Sequence, residues 1–270
     1  MSIRVGITGR TGSLGREIVK SKLGFSYSFF KGDIRNKNKI AKWIGRKRFD
    51  AIIHLAAIVP IKVVNNNKKK AYEVNYLATK NIIDVVKKNK IKWFFFASTS
   101  HVYSSTTKKI SEKSKISPIS YYGKTKFLAE KYIIKHLEKS NTIYCIGRIF
   151  STTNKNQKNS YLVPDLKTKI KKSNKKITLY NLGHYRDFIS MKDISKIIFC
   201  LHKKQFKGII NIASGRGIYL KDIATYIAKH YKKKIEIKDN IKKTYLVANI
   251  DKLKKIYKKK IIKNFKELIF

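Results

Sequence analysis

The chain has 270 residues, of which 63 are Lys or Arg and 16 are Asp or Glu, for a formal net charge of +47. Hydrophobic residues make up 43% and aromatics 12%, enough to bury a core, so wholesale disorder is excluded despite the charge. The length suits one large α/β domain, or one domain carrying a lobe, rather than a string of modules.

Residues 3–8 read as a short apolar strand. The turn Gly9-Arg10-Thr11-Gly12-Ser13-Leu14-Gly15 follows, then a helix over 13–23 with Leu14 and Ile18 on one stripe. A second strand is expected at 25–31 and a helix at 37–45. Residues 51–55 form a continuous apolar run of the kind buried on both faces of a parallel sheet. A long helix over 68–90 carries Tyr72, Val74, Leu77, Ile82 and Val86. Another buried strand at 93–97 ends in Ser98-Thr99-Ser100. A helix over 120–138 and a strand over 142–150 complete the pattern. This alternation predicts a Rossmann-like, doubly wound parallel sheet. Only about 18 residues separate Gly15 from Asp33, too few for two strands and a crossover helix, so one early strand is expected to be lost or merged.

The pattern changes after Phe150. A polar Lys/Asn loop at 151–160 precedes a helix over 163–172 and a short strand at 176–180. A helix at 192–202 and a strand at 208–212 read as returns to the main sheet. The predicted organisation is a dinucleotide-binding domain from 1–150 and 186–213. A smaller, discontinuous C-terminal substrate lobe, from 151–185 and 214–270, faces the strand ends where ligands bind in open α/β sheets.

The charge invites a nucleic-acid reading, but only nine of the 63 basic residues are Arg, the residue suited to bidentate recognition. The lysines are spread along the chain with abundant Ile and Asn and only three Pro, which fits a compositional origin. No specific nucleic-acid partner is therefore expected, and the charge should instead attract anionic small molecules. Two cysteines, Cys145 and Cys200, make no disulfide framework, and no Cys/His cluster has zinc spacing, so a reducing, cytoplasmic setting without a metal is expected. No secretory leader pattern and no apolar run of membrane-spanning length is present in the sequence, so no membrane partner is expected.

Gly9, Gly12 and Gly15 recur every three residues at the first strand–helix junction. Glycine is wanted there because a pyrophosphate must approach the backbone closely and accept N–H bonds at a positive helix terminus. Gly9, Arg10, Gly12, Ser13, Leu14 and Gly15 are thus candidate cofactor contacts. The acidic residue expected about 20 residues later for the ribose is missing, since nothing between Glu17 and Asp33 is acidic. A 2′-phosphate would not be repelled there, and Arg10 or Lys31 is placed to pair with it. NADP is favoured over NAD on that ground, with NAD left open.

Tyr122-Gly123-Lys124-Thr125-Lys126 opens a predicted helix, placing Tyr122 and Lys126 at i and i+4 on one face. An ammonium beside the phenol is expected to lower its pKa toward neutrality, as proton exchange with a sugar oxygen requires. Thr99, at the end of a strand, is placed to hydrogen-bond the same oxygen.

In order along the chain stand Thr8-Gly9-x-x-Gly12-x-x-Gly15, Gly32-Asp33-Ile34-Arg35 and His54-Leu55-Ala56-Ala57. Then come Ser98-Thr99-Ser100-His101-Val102-Tyr103 and Tyr122-Gly123-Lys124-Thr125-Lys126 with Glu130. Arg186-Asp187-Phe188-Ile189 with Asp193, and Asn211-Ile212-Ala213-Ser214-Gly215, complete the series. Together these resemble the extended short-chain dehydrogenase/reductase family of the NAD-dependent epimerase/dehydratase type, which acts on nucleotide sugars. The resemblance implies that Tyr122 is the acid/base, that Lys126 holds the nicotinamide ribose and that Thr99 completes the triad. It also implies that Asp33 and Ile34 contact adenine, that Ala56 and Ala57 line the cofactor and that Arg186 reaches the substrate diphosphate. Relatives often form homodimers through the helices containing residues 70–90 and 122–138. The loop after Phe150 departs from the family pattern, so the substrate pocket is expected to be unusual there.

Dehydratases of the family resemble this chain but carry a carboxylate after the position of Thr99, where Ser100 and His101 stand here. Loss of carboxylates argues against 4,6-dehydration and leaves 4-keto reduction or 4-epimerisation of a nucleotide sugar. The epimerase–reductases of the family carry proton-transfer residues at the positions of His101 and Tyr161, which keeps a 3,5-epimerase/4-reductase open. Ser100, His101, Tyr161 and Arg186 are therefore candidate substrate contacts, and His54 and His184 read as structural. A reading from another class is a catalytically silent Rossmann-type protein that binds RNA through its lysines, which an acid/base set argues against.

Overall fold

Apolar strands alternating with amphipathic helices build a six-stranded parallel sheet at the centre of the computed structural model, which describes residues 3–21, 24–59, 61–154, 157, 161–174, 176–240, 243–261 and 265–270. In chain order the strands are β1 (Arg4–Thr8), β2 (Ser26–Phe29), β3 (Ala51–His54), β4 (Trp93–Thr99), β5 (Ile143–Ile149), β6 (Ser151–Thr152) and β7 (Lys176–Tyr180). After them come β8 (Tyr185–Arg186), β9 (Phe188–Ile189), β10 (Gly208–Ile212), β11 (Ile218–Tyr219), β12 (Lys234–Lys238) and β13 (Tyr245–Leu246). The central sheet has the order β10-β5-β4-β3-β1-β2, with every pair parallel.

β4 shows why this sheet is buried on both faces. Trp93 and Phe95 pack into one apolar cluster, whereas Phe94 and Phe96 point the other way into a second. On the first face lie α1 (Ser13–Lys20) and α8 (Met191–Lys203), contributing Ile18, Ile194, Ile197 and Ile198. The second face is covered by α2 (Lys37–Lys47), α5 (Ala78–Lys88) and α6 (Tyr121–Leu137), with Ile40, Ile44, Ile82, Val86 and Ile133 turned inward. Burial of these aliphatic stripes supplies about 1.5–3 kcal/mol for each large side chain, which outweighs the mutual repulsion of well-solvated surface lysines.

The early shortening is real. A single strand, β2, lies between α1 and Asp33, and it pairs directly with β1 as the edge of the sheet. The helix expected over 68–90 is three segments: α4 (Lys68–Tyr72), a π turn (Glu73–Leu77) and α5, preceded by an unanticipated α3 (Ile61–Asn66). The extra residue of a π turn redirects a side chain inward. Here it buries Asn75, whose carboxamide accepts from Ile58 N at 2.8 Å and donates to Ile58 O and Thr125 Oγ1, both at 3.1 Å.

A third apolar cluster forms from α7 (Leu162–Lys172), α9 (Leu220–His230) and the parallel pair β7–β12, through Val163, Leu166, Ile170, Leu179, Ile223 and Ile227. The small sheet β11-β8-β13 adjoins it and carries Arg186. The helix α10 (Asp251–Ile256) packs Leu253 into the first cluster instead. Residues 22–23 of the first expected helix, and 155–156 and 158–160 of the expected loop, lie outside the described residues. Among the described residues no helix is long and apolar enough to cross a membrane.

Candidate active site

The glycine turn joins β1 to α1 under tight steric limits. Gly9 has φ +79°, and a Cβ placed on it would lie 2.6 Å from Ala56 N. A Cβ on Gly15 would collide with the Gly9 carbonyl and the Arg10 backbone. Gly12 caps α1 without any side-chain hydrogen bond, so the first N–H groups of the helix remain free to donate to an anion. Ser13 and Leu14 are half-buried on the first turn, and Leu14 also touches the first cluster. Thr8 Oγ1 ties the neighbouring loop down, accepting from Leu55 N and Ala56 N at 3.2 Å and lying 2.6 Å from His54 Nδ1. His54 is fully buried, with Nε2 3.0 Å from Thr79 Oγ1. Burial and nearby Lys126 push it down to about 3, so it is neutral and structural. Ala56 and Ala57 line the half-buried surface that follows β3.

Beyond β2, Asp33 is exposed and Ile34 is buried in the second cluster, leaving only its backbone for a ligand. The carboxylate of Asp33 accepts from Arg35 N, Nε and NH2, the last at 2.6 Å, and these bonds hold its pKa down at about 2. Arg35 also reaches Glu73 at 2.8 Å.

At the ends of β4 and α6 the structure brings Thr99, Ser100, His101, Tyr122 and Lys126 together, all of them buried except His101, which is half-buried. Thr99 Oγ1 accepts from His101 N at 3.2 Å, and its hydroxyl lies near enough to the Tyr122 phenol to favour the ionised form. The His101 ring meets Tyr122 edge-on, with centroids 6.0 Å apart. Tyr161, just ahead of α7, also lies near the phenol and is itself raised by burial. The expected lowering of the Tyr122 pKa is corrected by the structure. Burial pushes the phenol up, and Thr99, not Lys126, supplies the opposing pull. Lys126 has turned its ammonium onto the Phe96 ring, 3.9 Å from the centroid, and burial lowers it to about 7 against the favourable charge of Glu130.

Arg186 stands across from these groups. Its NH1 donates to Tyr185 O at 2.9 Å and Thr244 Oγ1 at 3.1 Å, and no carboxylate among the described residues pairs with it. Adjacent Asp187 is occupied elsewhere, accepting from Ser214 N and Oγ, Gly215 N and Ala248 N. Burial lowers Arg186 to about 10, and its charge joins burial in pushing His101 down to about 4, so His101 is neutral near pH 7. His184 accepts from Thr244 N at 3.1 Å and supports the same strand.

Two side chains were given no partner by the sequence. Glu130, fully buried one turn after Lys126, takes Arg148 Nε and NH2 on its two oxygens, with NH2 at 2.7 Å, and accepts from Ser98 Oγ. The signal was present in an Arg inside an apolar strand and a Glu inside an apolar helix face. Asn75 had no such signal, because only the π turn brings it inward. No group of three or more potential metal ligands gathers among the described residues.

A family model described as GDP-mannose 4,6 dehydratase matches residues 6–266. The chain belongs to the extended short-chain dehydrogenase/reductase family of NAD-dependent epimerases and dehydratases. It is 30% identical over 212 residues to the GDP-6-deoxy-D-talose 4-dehydrogenase of Aggregatibacter actinomycetemcomitans, covering 77% of this chain and 71% of that one. Among solved structures, RMD from Pseudomonas aeruginosa complexed with NADPH superposes with a TM-score of 0.88 at 17% identity, over 99% of this chain and 96% of that one. The UDP-glucose 4-epimerase of Thermus thermophilus in complex with NAD gives 0.83 at 21% identity, with the same coverages. As a member of this family the chain is an NAD(P)-dependent enzyme that modifies nucleotide sugars.

Proposed function

We propose that the chain reduces the 4-keto group of a nucleoside diphosphate sugar, rather than eliminating water from it. The observation that carries this reading is Arg186. A half-buried guanidinium without a carboxylate partner among the described residues, close enough to act on His101 beside Tyr122, suits an anion site next to a proton donor. The positions that follow Thr99 hold Ser100 and a neutral His101, neither of which supplies the carboxyl chemistry of a dehydratase.

The glycine turn fits a dinucleotide because side chains are sterically barred from it and its helix terminus has no cap. Gly9, Gly12, Ser13 and Gly15 would hold the pyrophosphate, Ala56 and Ala57 the face beside it, and Lys126 the ribose hydroxyls. Bound there, a nicotinamide dinucleotide supplies the hydride. Tyr122 gives its proton to the carbonyl oxygen, and its raised pKa keeps it protonated until the developing alkoxide takes that proton. Thr99 orients the phenol, and Arg186 fixes the diphosphate so that carbon 4 lies at the phenol. The substrate is placed between the dinucleotide-binding part (1–150 and 186–213) and the lobe (151–185 and 214–270).

Tyr122→Phe removes the proton donor without disturbing the buried ring. Turnover is expected to fall by about 10³-fold, with substrate affinity changed by less than about threefold. Full turnover by this variant would end the assignment.

A second reading, epimerisation at carbons 3 and 5 before reduction, is favoured by His101 and Tyr161 both bordering Tyr122. A 4-keto group acidifies those carbons, and neutral His101 is able to accept a proton. Deuterium uptake at carbon 3 or 5 from heavy water distinguishes it from simple reduction. A plain 4-epimerase would instead retain its cofactor and consume no reduced dinucleotide.

We also propose a cytoplasmic homodimer that invokes neither nucleic acid nor membrane. The half-exposed rings along α4 to α6 support the pairing face: Tyr72–Tyr76 at 5.1 Å, Tyr76–Tyr132 at 6.5 Å and Tyr132–His136 stacked at 3.8 Å.

A further inference from the structure

Arg186 lies on β8 with β11 on one side and β13 on the other, so its backbone is fixed before any side chain acts. Its guanidinium is then held at one end only. NH1 donates to Tyr185 O at 2.9 Å and to Thr244 Oγ1 at 3.1 Å. Nε and NH2 meet no acceptor among the described residues. Those two nitrogens form the edge through which a guanidinium takes two phosphate oxygens at once. With NH1 tied back, that edge is presented in one direction rather than turning freely on its stem.

A run of hydrogen bonds stands behind Thr244. Its backbone N–H donates to His184 Nδ1 at 3.1 Å, and its Oγ1 lies 3.0 Å from the same nitrogen. A backbone N–H only donates, so Nδ1 carries no proton, and the Thr244 hydroxyl also gives its hydrogen to that nitrogen. The hydroxyl lone pairs are thereby left for Arg186 NH1. The polarity runs one way, from guanidinium to hydroxyl to imidazole. His184 is buried and its backbone is fixed on both sides: its N donates to Leu182 O at 2.8 Å, and its O accepts from Leu220 N at 2.9 Å. Asp239 Oδ1 accepts from Leu182 N at 2.7 Å and Gly183 N at 3.1 Å, and Lys221 pairs with the same carboxylate at 2.8 Å. The loop that carries the imidazole is therefore clamped ahead of β8.

We propose that Thr244, oriented by His184, is the positioning residue that aims the Arg186 fork at the diphosphate of the substrate. This rests on the anion-site reading of Arg186 given above and deepens it. Both residues act through the guanidinium, by sparing it the cost of being ordered when the anion arrives. Their loss should therefore weaken anion binding only while Arg186 is present.

Isothermal titration of the full chain with UDP and with GDP tests it. Thr244→Val keeps the shape and removes the hydroxyl, and should weaken binding of the better nucleotide by about tenfold. Thr244→Ser restores the hydroxyl and should bind within about threefold of the unaltered chain. His184→Asn, which keeps an acceptor near the place of Nδ1, should also stay within about threefold, whereas His184→Leu should lose about fivefold or more. Arg186→Ala should lose about 10- to 100-fold, and adding Thr244→Val to it should cost less than about twofold more. Undiminished binding in Thr244→Val would overturn the proposal, as would failure of Thr244→Ser to recover it. So would a full tenfold cost of Thr244→Val in the Arg186→Ala background, which would show Thr244 acting on the ligand by itself. Failure of both nucleotides to bind the unaltered chain, or unchanged binding in Arg186→Ala, would instead overturn the anion-site reading.

Discussion

Replacing Lys126 by Met tests what it costs this fold to keep an ammonium inside. Burial brings Lys126 from its ordinary 10.5 down to about 7, because the charged form loses its water and regains only part of that through Glu130 and the Phe96 ring. Below the lower value both folded and unfolded chains hold the proton, and the charge destabilises the fold in full. Between the two values the unfolded chain holds a proton that the folded chain has released, so stability rises with pH through this window. Worked from these two values, the gain between about pH 6.5 and about pH 9.5 is about 3 kcal/mol. Urea unfolding of both proteins at those two pH values reads it, as the change in the wild-type-minus-Met difference. Other titrating groups cancel in that difference, and Met keeps the length and fills the volume. The wild type should gain about 3 kcal/mol on the variant as pH rises. A difference that stays flat within about 0.5 kcal/mol would refute the argument, since the ammonium would then be solvated or fully paired.

Arg186→Ala should raise the KM for a nucleoside diphosphate sugar by about 10- to 100-fold with a smaller change in kcat, as loss of uniform binding does. In the same variant the His101 pKa should rise from about 4, because a cation that disfavours imidazolium has gone; NMR titration of the ring reads this directly. Tyr132→Ala, which removes the ring between Tyr76 and His136, should shift a dimer toward monomer in light scattering at micromolar concentration. A monomeric unaltered chain would refute that pairing face.

The central sheet was legible because its strands are continuous apolar runs and its turns carry glycine, signals that local sterics alone impose. β4 is the clearest case: four consecutive large aromatics have no amphipathic face, so both sides must be covered. The shortening before Asp33 was equally readable, being a matter of chain length against the reach of a crossover. The grouping of the candidate residues was legible, since Thr99, His101 and Tyr122 lie at a strand end and a helix start that the topology must bring together. What escaped was direction. Tyr122 and Lys126 share a helix face, yet spacing does not say which way a four-carbon stem turns, and Phe96 on the neighbouring strand decides it. The inward turn of Asn75 escaped for a similar reason, because a π turn inserts one residue without any local signature in a Lys/Tyr-rich helix.

The arginines of so lysine-rich a chain divide by geometry. Four of the nine stand where a planar fork has work that a point charge does less well: Arg148 on both oxygens of buried Glu130, Arg35 between Asp33 and Glu73, Arg186 at the proposed anion site and Arg10 on Phe29. The other five, Arg4, Arg16, Arg46, Arg48 and Arg216, are exposed and enter no ion pair among the described residues. An ammonium is a compact, strongly hydrated charge with no fixed plane, so the two groups should respond differently to Arg→Lys exchange. Arg148→Lys loses the paired bonds to Glu130 while keeping a cation to be desolvated, and should cost about 1–3 kcal/mol in urea unfolding. Arg46→Lys on the exposed end of α2 should stay within about 0.5 kcal/mol. Equal effects at the two sites would show that net charge, rather than the shape of the guanidinium, accounts for the buried pair, and would remove the reason for expecting Arg10 and Arg186 to act as forks.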